Sequence, residues 1–264
     1  MTKSTGEPNQ SLGIAATSPS ILVLPIRLEC IVTNDTPGQW DYGYDDLSII
    51  KAIHALAKKF KHGYWAEQVR VVNMSFSSPK EKPGAVELAI QVDVQEDDRL
   101  YVASAGNDVL EAKYYPAAYS DWVLGVSGLI WDGDSASWLP SYIDDHQKLV
   151  GSNYVNDGYQ TYPVSGLFEI ISEGDFTTRS TSTEAENPAY GIYDNFAGTS
   201  AAAAQVSSLA ALMYHNRPGR LYGLVKYHIH LYRDLASDLH GDAEIAGLVD
   251  FDAALAAWGK DPGR

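Results

Sequence analysis

One stretch of the sequence combines residue types that can perform nucleophilic chemistry. Gly198, Thr199 and Ser200 precede an alanine run, residues 201–204, and the apolar pattern continues to Met213. This pattern predicts a helix that carries Ser200 in its first turn. A serine there lies beside unpaired backbone N–H groups and the positive end of the helix dipole, where a developing oxyanion is stabilised. This placement predicts acyl transfer with Ser200 as the nucleophile.

A simpler interpretation of the same residues stays open, because threonine or serine before an alanine run is often only a helix N-cap. A second polar residue bears on the choice. Asn107 follows an apolar run, residues 100–105, and an amide beside a helix-start serine can donate a hydrogen bond to an oxyanion. The alternative for Asn107 is a polar residue in the turn after a strand.

The elements that must position these residues alternate between strand and helix in the first half of the chain. One helix is predicted to begin at Asp45 or Asp46 and to end at Gly63, with a second over residues 85–90. Strands are predicted at residues 21–28, 69–76, 100–105 and 122–126. Strands separated by such helices indicate right-handed crossovers and a parallel sheet covered on both faces. We therefore predict an α/β fold, a three-layer sandwich with a mostly parallel sheet.

The second half of the chain has a looser pattern before it becomes helical again. Residues 132–186 indicate loop and short strands, and residues 222–235 predict an amphipathic helix. Residues 247–250 predict a closing turn before a short helix at 253–257. Since ligands of open parallel sheets bind beyond the carboxyl ends of the strands, the residues that follow each strand are the candidates for a site.

Four stretches, taken in chain order, resemble the subtilisin-like serine peptidases, the subtilase family. They are Val-Val-Asn-Met-Ser-Phe at 71–76, Val-Ala-Ser-Ala-Gly-Asn-Asp at 102–108, Tyr-Pro-Ala-Ala-Tyr at 115–119 with Val-Leu-Gly-Val at 123–126, and Gly-Thr-Ser at 198–200. Weaker similarity occurs at Ser152-Asn153-Tyr154 and at residues 247–250. The resemblance extends from about residue 21 to about residue 257.

The resemblance implies a peptide or protein substrate and a role for each matching residue. Ser200 would be the nucleophile, and Asn107 would be the side-chain oxyanion donor, aided by the Ser200 backbone N–H. The walls of the pocket for the residue before the scissile bond would be formed by Ser75, Phe76, Ser77, Ala103, Ser104, Ala105 and Gly106. No cofactor and no metal are expected, since no run has clear calcium-loop spacing.

The family's acid and base motifs are absent from the sequence, so the resemblance covers the C-terminal two-thirds of a subtilase and implies a fold that is incomplete at the N-terminus. Residues 1–20 are predicted to be a polar leader, and residues 21–264 a peptidase domain lacking the acid- and base-bearing segment. His62 and His240, near the ends of predicted elements, are the candidate local bases, with a surface or capping role as the alternative for each. The expected partner is a complementing N-terminal segment or another chain. The alternatives are an inactive module that binds peptides or proteins and a non-proteolytic acyl hydrolase.

Composition narrows the remaining classes of function. The chain of 264 residues has a formal net charge of −15, which opposes binding to nucleic acid because such affinity comes from lysine and arginine. No apolar run approaches the roughly twenty residues that span a bilayer, so no membrane association is expected. The single cysteine, Cys30, cannot form an internal disulfide. Without a signal peptide the expected location is cytoplasmic, or secreted if an upstream segment is missing.

Overall fold

The computed structural model of the chain describes residues 21–28, 30–33, 41–60, 69–78, 83–108, 110, 112–132, 137–139, 141–143, 149–153, 170–173, 175–179, 192–234 and 247–260. The helices are α1 Asp46–Phe60, α2 Gly84–Asp97, α3 Thr199–Asn216, α4 Tyr222–Leu231 and α5 Phe251–Lys260. The strands are β1 Cys30–Thr33, β2 Asp41–Tyr44, β3 Val71–Met74, β4 Leu100–Ser104, β5 Val123–Asp132, β6 Ser137–Leu139, β7 Ser141–Ile143, β8 Leu149–Gly151, β9 Ile170–Glu173, β10 Asp175–Arg179, β11 Ile192–Ala197, β12 Arg233–Asp234 and β13 Gly247–Val249.

A central sheet of seven strands organises the fold, with the order β12-β13-β9-β5-β4-β3 and β6 paired to β5. The pairs from β13 through β9, β5 and β4 to β3 are all parallel. Antiparallel pairing occurs at β12 with β13 and at β5 with β6. Three further antiparallel pairs lie outside this sheet: β1 with β2, β7 with β8, and β10 with β11. The prediction of a mostly parallel sheet is confirmed.

Helices cover both faces of the sheet, and β4 shows how one strand serves two cores. Leu100 and Val102 pack into a cluster with residues of α3, α4 and α5. Tyr101 and Ala103, which point the other way, pack into a second cluster with residues of α1 and α2. All four side chains are fully buried, as expected for a strand covered on both faces. The predicted three-layer α/β sandwich is therefore confirmed.

Local capping chemistry explains where two helices begin and end. The Asp45 carboxylate accepts a hydrogen bond from the Ser48 backbone N–H at 2.7 Å, which caps α1 and lowers the pKa of Asp45 through its bonding to Ser48. Helix α2 ends at Asp97 and is capped by Asp98, which adopts a left-handed conformation with φ of 54°. The Asp98 carboxylate then binds the Arg70 guanidinium at 2.5 Å and the Tyr222 N–H at 2.9 Å.

The predictions at the two ends of the chain need correction. The predicted strand at residues 21–28 is not a strand. The side chain of Leu22 in this segment is 73% exposed. Pro25 lacks the backbone N–H that the hydrogen-bond ladder of a sheet requires. Residues 247–249 were predicted to be a turn, but they form β13, parallel to β9. The helix predicted to continue to residue 235 ends at Leu231. The leader at residues 1–20 and the helix end at Gly63 lie outside the described residues.

Candidate active site

Ser200 lies in the first turn of α3, which contacts both β3 and β4. The turn into the helix is made by Gly198, whose φ of 92° is in the left-handed region that favours glycine. The Gly198 carbonyl accepts the first helical hydrogen bonds, from the N–H groups of Ala201 and Ala202. The sequence prediction of a helix that carries Ser200 in its first turn matches this arrangement.

Asn107 is hydrogen-bonded to the residue before Ser200. Its side-chain oxygen Oδ1 accepts from the Thr199 backbone N–H and from the Thr199 hydroxyl, both at 2.9 Å. A backbone N–H can only donate, so the carboxamide must turn its oxygen toward Thr199 and its NH2 group away. Asn107 is exposed, so this NH2 group is a donor held beside the helix start. The geometry places the Asn107 carboxamide against Gly198 and Thr199, the two residues that precede Ser200.

The close approach of Asn107 to the turn explains why a glycine precedes Thr199. A Cβ atom on Gly198 would lie 3.0 Å from Nδ2 and 3.1 Å from Oδ1 of Asn107. Such contacts are tighter than ordinary van der Waals packing, and the positive φ adds backbone strain to any side chain there. The Gly-Thr-Ser sequence therefore provides the space that the Asn107 carboxamide occupies.

The Ser200 hydroxyl donates to the Ser75 backbone carbonyl at 3.2 Å. In return, the Ser75 hydroxyl donates to the Ser200 carbonyl at 2.9 Å. The Ser75 oxygen also accepts from the Asn73 amide at 2.9 Å, and the Asn73 oxygen accepts from the Ser207 hydroxyl at 3.0 Å. This polar chain joins the end of β3 to the first three turns of α3, and so holds Ser200 against the sheet.

The predicted pocket residues fall into two groups. Ser75, Phe76 and Ser77 follow β3 and are partly buried, and the Phe76 ring lies 5.8 Å from the ring of Tyr44. By contrast, Ala103 and Ala105 have fully buried side chains within the core cluster of α1 and α2. Ser104 and Gly106 are buried as well. The assignment of these residues to pocket walls stays a prediction.

Thr199 and Asn153 belong to motifs identified in the sequence, but neither was assigned the structural role that it has at the site. The Thr199 hydroxyl accepts from the Gly106 N–H at 3.0 Å and so links the two loops. Asn153, which follows β8, is completely buried and hydrogen-bonds to the loop that carries Asn107. A buried carboxamide requires partners, but the sequence does not say which loop supplies them.

The described residues bring the Asn107 amide and the Ser200 hydroxyl to the start of α3, but among them no base is bonded to that hydroxyl. Its acceptor is a backbone carbonyl, which cannot take up a proton at neutral pH. Among the described histidines, His228 is buried and its Nε2 lies 3.1 Å from the Ala254 carbonyl, in the helix layer of α4 and α5. The two candidate bases, His62 and His240, lie outside the described residues.

The described part of the chain also bears on metal binding and on membrane crossing. No cluster of three or more histidine, cysteine or carboxylate side chains there has the arrangement of a metal site. None of the described helices has the length and apolar character that crossing a bilayer requires.

Many solved structures share this fold, and three of them illustrate the similarity. The subtilase cytotoxin SubAB assembly superposes with a TM-score of 0.62 at 19% sequence identity, over 82% of this chain and 66% of that chain. The A-subunit of the AB5 toxin from E. coli gives a TM-score of 0.63 at 20% identity, over 82% and 68%. The protease domain of PatA gives 0.56 at 21% identity, over 83% and 68%. The chain thus spans about two thirds of the length of these structures.

Sequence comparison identifies the family directly. No curated protein sequence matches the chain. The model of the subtilase family, however, matches residues 14–229, a span that includes β3, β4 and the start of α3. With the sheet order, the Gly-Thr-Ser turn and the Asn107 amide already described, this match leads to one conclusion: the chain belongs to the subtilase family of peptidases.

Proposed function

We propose that the chain acts in peptide-bond hydrolysis, with Ser200 as nucleophile and Asn107 as oxyanion donor, and that the acid and base are supplied from outside this chain. The observation that carries this proposal is the contact between Asn107 and Thr199. It holds an amide NH2 group beside the helix-start backbone, where two donors can converge on one oxygen. A helix N-cap alone would not require the second loop.

The Ser200 hydroxyl sets the chemical requirement. A serine hydroxyl is a poor nucleophile unless an adjacent base accepts its proton. In subtilisin itself, the measured cost of removing the base is about 10⁶ in kcat, equivalent to roughly 8 kcal/mol of barrier. Since Ser200 donates to a carbonyl, we expect the isolated chain to be nearly inactive toward peptides.

The edge of β3 is where we propose that a complementing segment binds. Within the described residues, β3 ends the central sheet and pairs only with β4. The Arg70 carbonyl accepts a hydrogen bond from the Leu100 N–H. The backbone N–H and C=O groups of residues 70, 72 and 74 therefore point toward β4, and those of residues 71 and 73 point to the open edge of the sheet. Unpaired strand edges favour pairing with another strand. A strand added there would end beside Ser75, in reach of the Ser200 hydroxyl.

The proposal is tested with a fluorophosphonate that labels activated serines. The wild-type chain and Ser200→Ala are each exposed to it, alone and after co-expression with a subtilase segment containing the acid strand and the His-Gly-Thr helix. We expect labelling only of the wild type and only with the segment. Labelling of the isolated chain would refute the need for an external base.

A second candidate function is favoured by the same hydrogen bond between Ser200 and the Ser75 carbonyl, since it leaves the hydroxyl in an unreactive state. In this case the chain is a binding module that retains a cleft for peptides or proteins. Absence of labelling under every condition, together with peptide binding that Ser200→Ala does not alter, would establish this function instead. Ester hydrolysis without peptide cleavage would favour an acyl hydrolase.

A further inference from the structure

The loop that carries Asn107 wraps around the side chain of Asn153, a residue from a different part of the chain. Asn153 follows β8 and is completely buried. Its Oδ1 accepts from the backbone N–H groups of Asp108 at 3.0 Å and Leu110 at 3.1 Å. Its Nδ2 donates to the Ala105 carbonyl at 3.1 Å. One carboxamide therefore contacts the loop on both sides of Asn107.

The backbone of Asn153 adds a fourth contact, because its N–H donates to the Gly106 carbonyl at 2.9 Å. The carbonyls of Ala105 and Gly106 and the N–H groups of Asp108 and Leu110 are thus satisfied by a single residue. Buried backbone groups without partners are costly. Folding the loop over Asn153 is what allows it to leave the sheet at Ala105 and present Asn107.

Gly106 is held between Asn153 and Thr199. A Cβ atom at Gly106 would lie 2.4 Å from Nδ2 of Asn153, and φ at this residue is 99°. On its other side, the Gly106 N–H donates to the Thr199 hydroxyl at 3.0 Å. The residue before Asn107 is therefore clamped between a buried amide and the start of α3.

Strand β5, which is next to β4 in the sheet, holds Asn153 in place through the neighbouring residue Ser152. The Ser152 hydroxyl accepts from the Gly128 N–H of β5 at 3.2 Å and donates to the Asn153 carbonyl at 2.9 Å. Asn153 is thus attached to the central sheet independently of the Asn107 loop. A rigid support of this kind can set the position of a group it does not touch.

We propose that Asn153 is a positioning residue for the oxyanion donor, holding the loop so that the Asn107 amide reaches the start of α3. The proposal rests on the function proposed above for Asn107 and Ser200. It deepens that function by naming the group that determines where the donor sits. Asn153 makes no contact with the nucleophile, and it acts only through the loop.

The test compares Asn153→Leu, Asn153→Asp and Val225→Ala. The leucine loses all three side-chain hydrogen bonds, whereas the aspartate keeps an acceptor for Asp108 and Leu110 but repels the Ala105 carbonyl. Val225 is fully buried in the opposite core cluster, so its truncation destabilises the fold without touching the loop. Amide hydrogen exchange and the NMR signals of the Asn107 side-chain NH2 are measured for each full chain.

We expect Asn153→Leu to speed exchange at Asp108 and Leu110 at least about tenfold more than at the β4 amides. Asn153→Asp should keep those two amides protected yet shift the Asn107 NH2 signals. Val225→Ala should change all amides in proportion and leave the Asn107 signals unchanged. If Asn153→Asp leaves the Asn107 signals in place, or if Val225→Ala moves them equally, the positioning role is overturned.

The labelling rate of Ser200 in the complemented protein separates this proposal from the proposed function. If the wild type labels, Asn153→Asp should slow labelling about tenfold or more, and an unchanged rate would contradict positioning. Should the wild type fail to label, the hydrolase function is lost, but the Asn107 signals still decide whether Asn153 positions the amide. If Asn153→Leu does not fold, the Asn107 NH2 signals of Asn153→Asp decide the proposal.

Discussion

Ser75 and Ser200 exchange hydrogen bonds across the junction of β3 and α3. Each hydroxyl donates to the other residue's backbone carbonyl, at 2.9 Å from Ser75 and at 3.2 Å from Ser200. The pair fixes the start of α3 on the sheet and gives the Ser200 proton an acceptor. For hydrolysis, an incoming base must therefore replace the Ser75 carbonyl as the acceptor of that proton.

Substitution Ser75→Ala should lower the free energy of unfolding by about 1–2 kcal/mol. The variant removes the donor to the Ser200 carbonyl and the acceptor of the Asn73 amide, and partly buried groups that lose partners carry a desolvation cost. Ser208→Ala is the control, since the Ser208 hydroxyl only bonds back to the Ala204 carbonyl within α3. Urea unfolding measures both variants, and equal losses would contradict the role of the serine pair.

Substitution Gly198→Ala should destabilise the fold by about 2 kcal/mol, because the backbone there is left-handed. The new Cβ would also press on the Asn107 carboxamide. Gly219→Ala is the matched control, since a Cβ at Gly219 meets nothing within 4 Å. Thermal unfolding of the two variants, with the Asn107 NH2 signals as a second measurement, tests this difference. A neutral Gly198→Ala would show that the turn does not constrain Asn107.

Loss of the Asp93 carboxylate, which forms a buried ion pair with Arg99, should strongly lower the free energy of unfolding. The side chains of Arg99 and Asp93 are each 1% exposed and are hydrogen-bonded to each other. The Tyr101 hydroxyl also donates to Asp93 at 2.7 Å. Asp93→Ala leaves the guanidinium charge buried without this partner, so we expect a loss of about 3–5 kcal/mol. Asp97→Ala removes a more exposed partner of Arg99 at 3.3 Å and should cost about 1 kcal/mol or less. Similar losses in urea unfolding would contradict this ranking.

Stability should fall at alkaline pH because burial raises the pKa of Tyr101, with the Asp93 charge adding to the effect. Burial also raises the pKa of Tyr119 and of Tyr214. Above about pH 10 the unfolded tyrosines lose protons that the folded ones keep, so the free energy of unfolding decreases as pH rises. The slope is at most about 1.4 kcal/mol per pH unit for each tyrosine.

Urea unfolding between about pH 8 and pH 11 measures this slope. Tyr101→Phe should make it shallower, whereas Tyr227→Phe, at a side chain that is 61% exposed, serves as the control. A free energy of unfolding that rises with pH in this range, or a slope that Tyr101→Phe leaves unchanged, would contradict the role of the buried tyrosine.

Local patterns allowed much of the fold to be predicted. The apolar run of β4 indicated a strand buried on both faces, and Asp45 indicated a helix start, since both signals depend on neighbouring residues only. The Gly-Thr-Ser turn was readable for the same reason. Residues 21–28 were mispredicted because an apolar run indicates a strand only when another strand pairs with it. Residues 247–249 were missed because a strand of three residues has too little periodicity to identify.

The sequence by itself determined the family, the α/β class and the helix-start position of Ser200, because ordered short motifs and local capping encode these. Only the tertiary structure decided that the Asn107 oxygen faces Thr199, that Asn153 supports its loop, and that the Ser200 proton rests on the Ser75 carbonyl. These contacts join residues 43 to 125 positions apart. Their geometry follows from the packing of α3 against β3 and β4, which no local pattern contains.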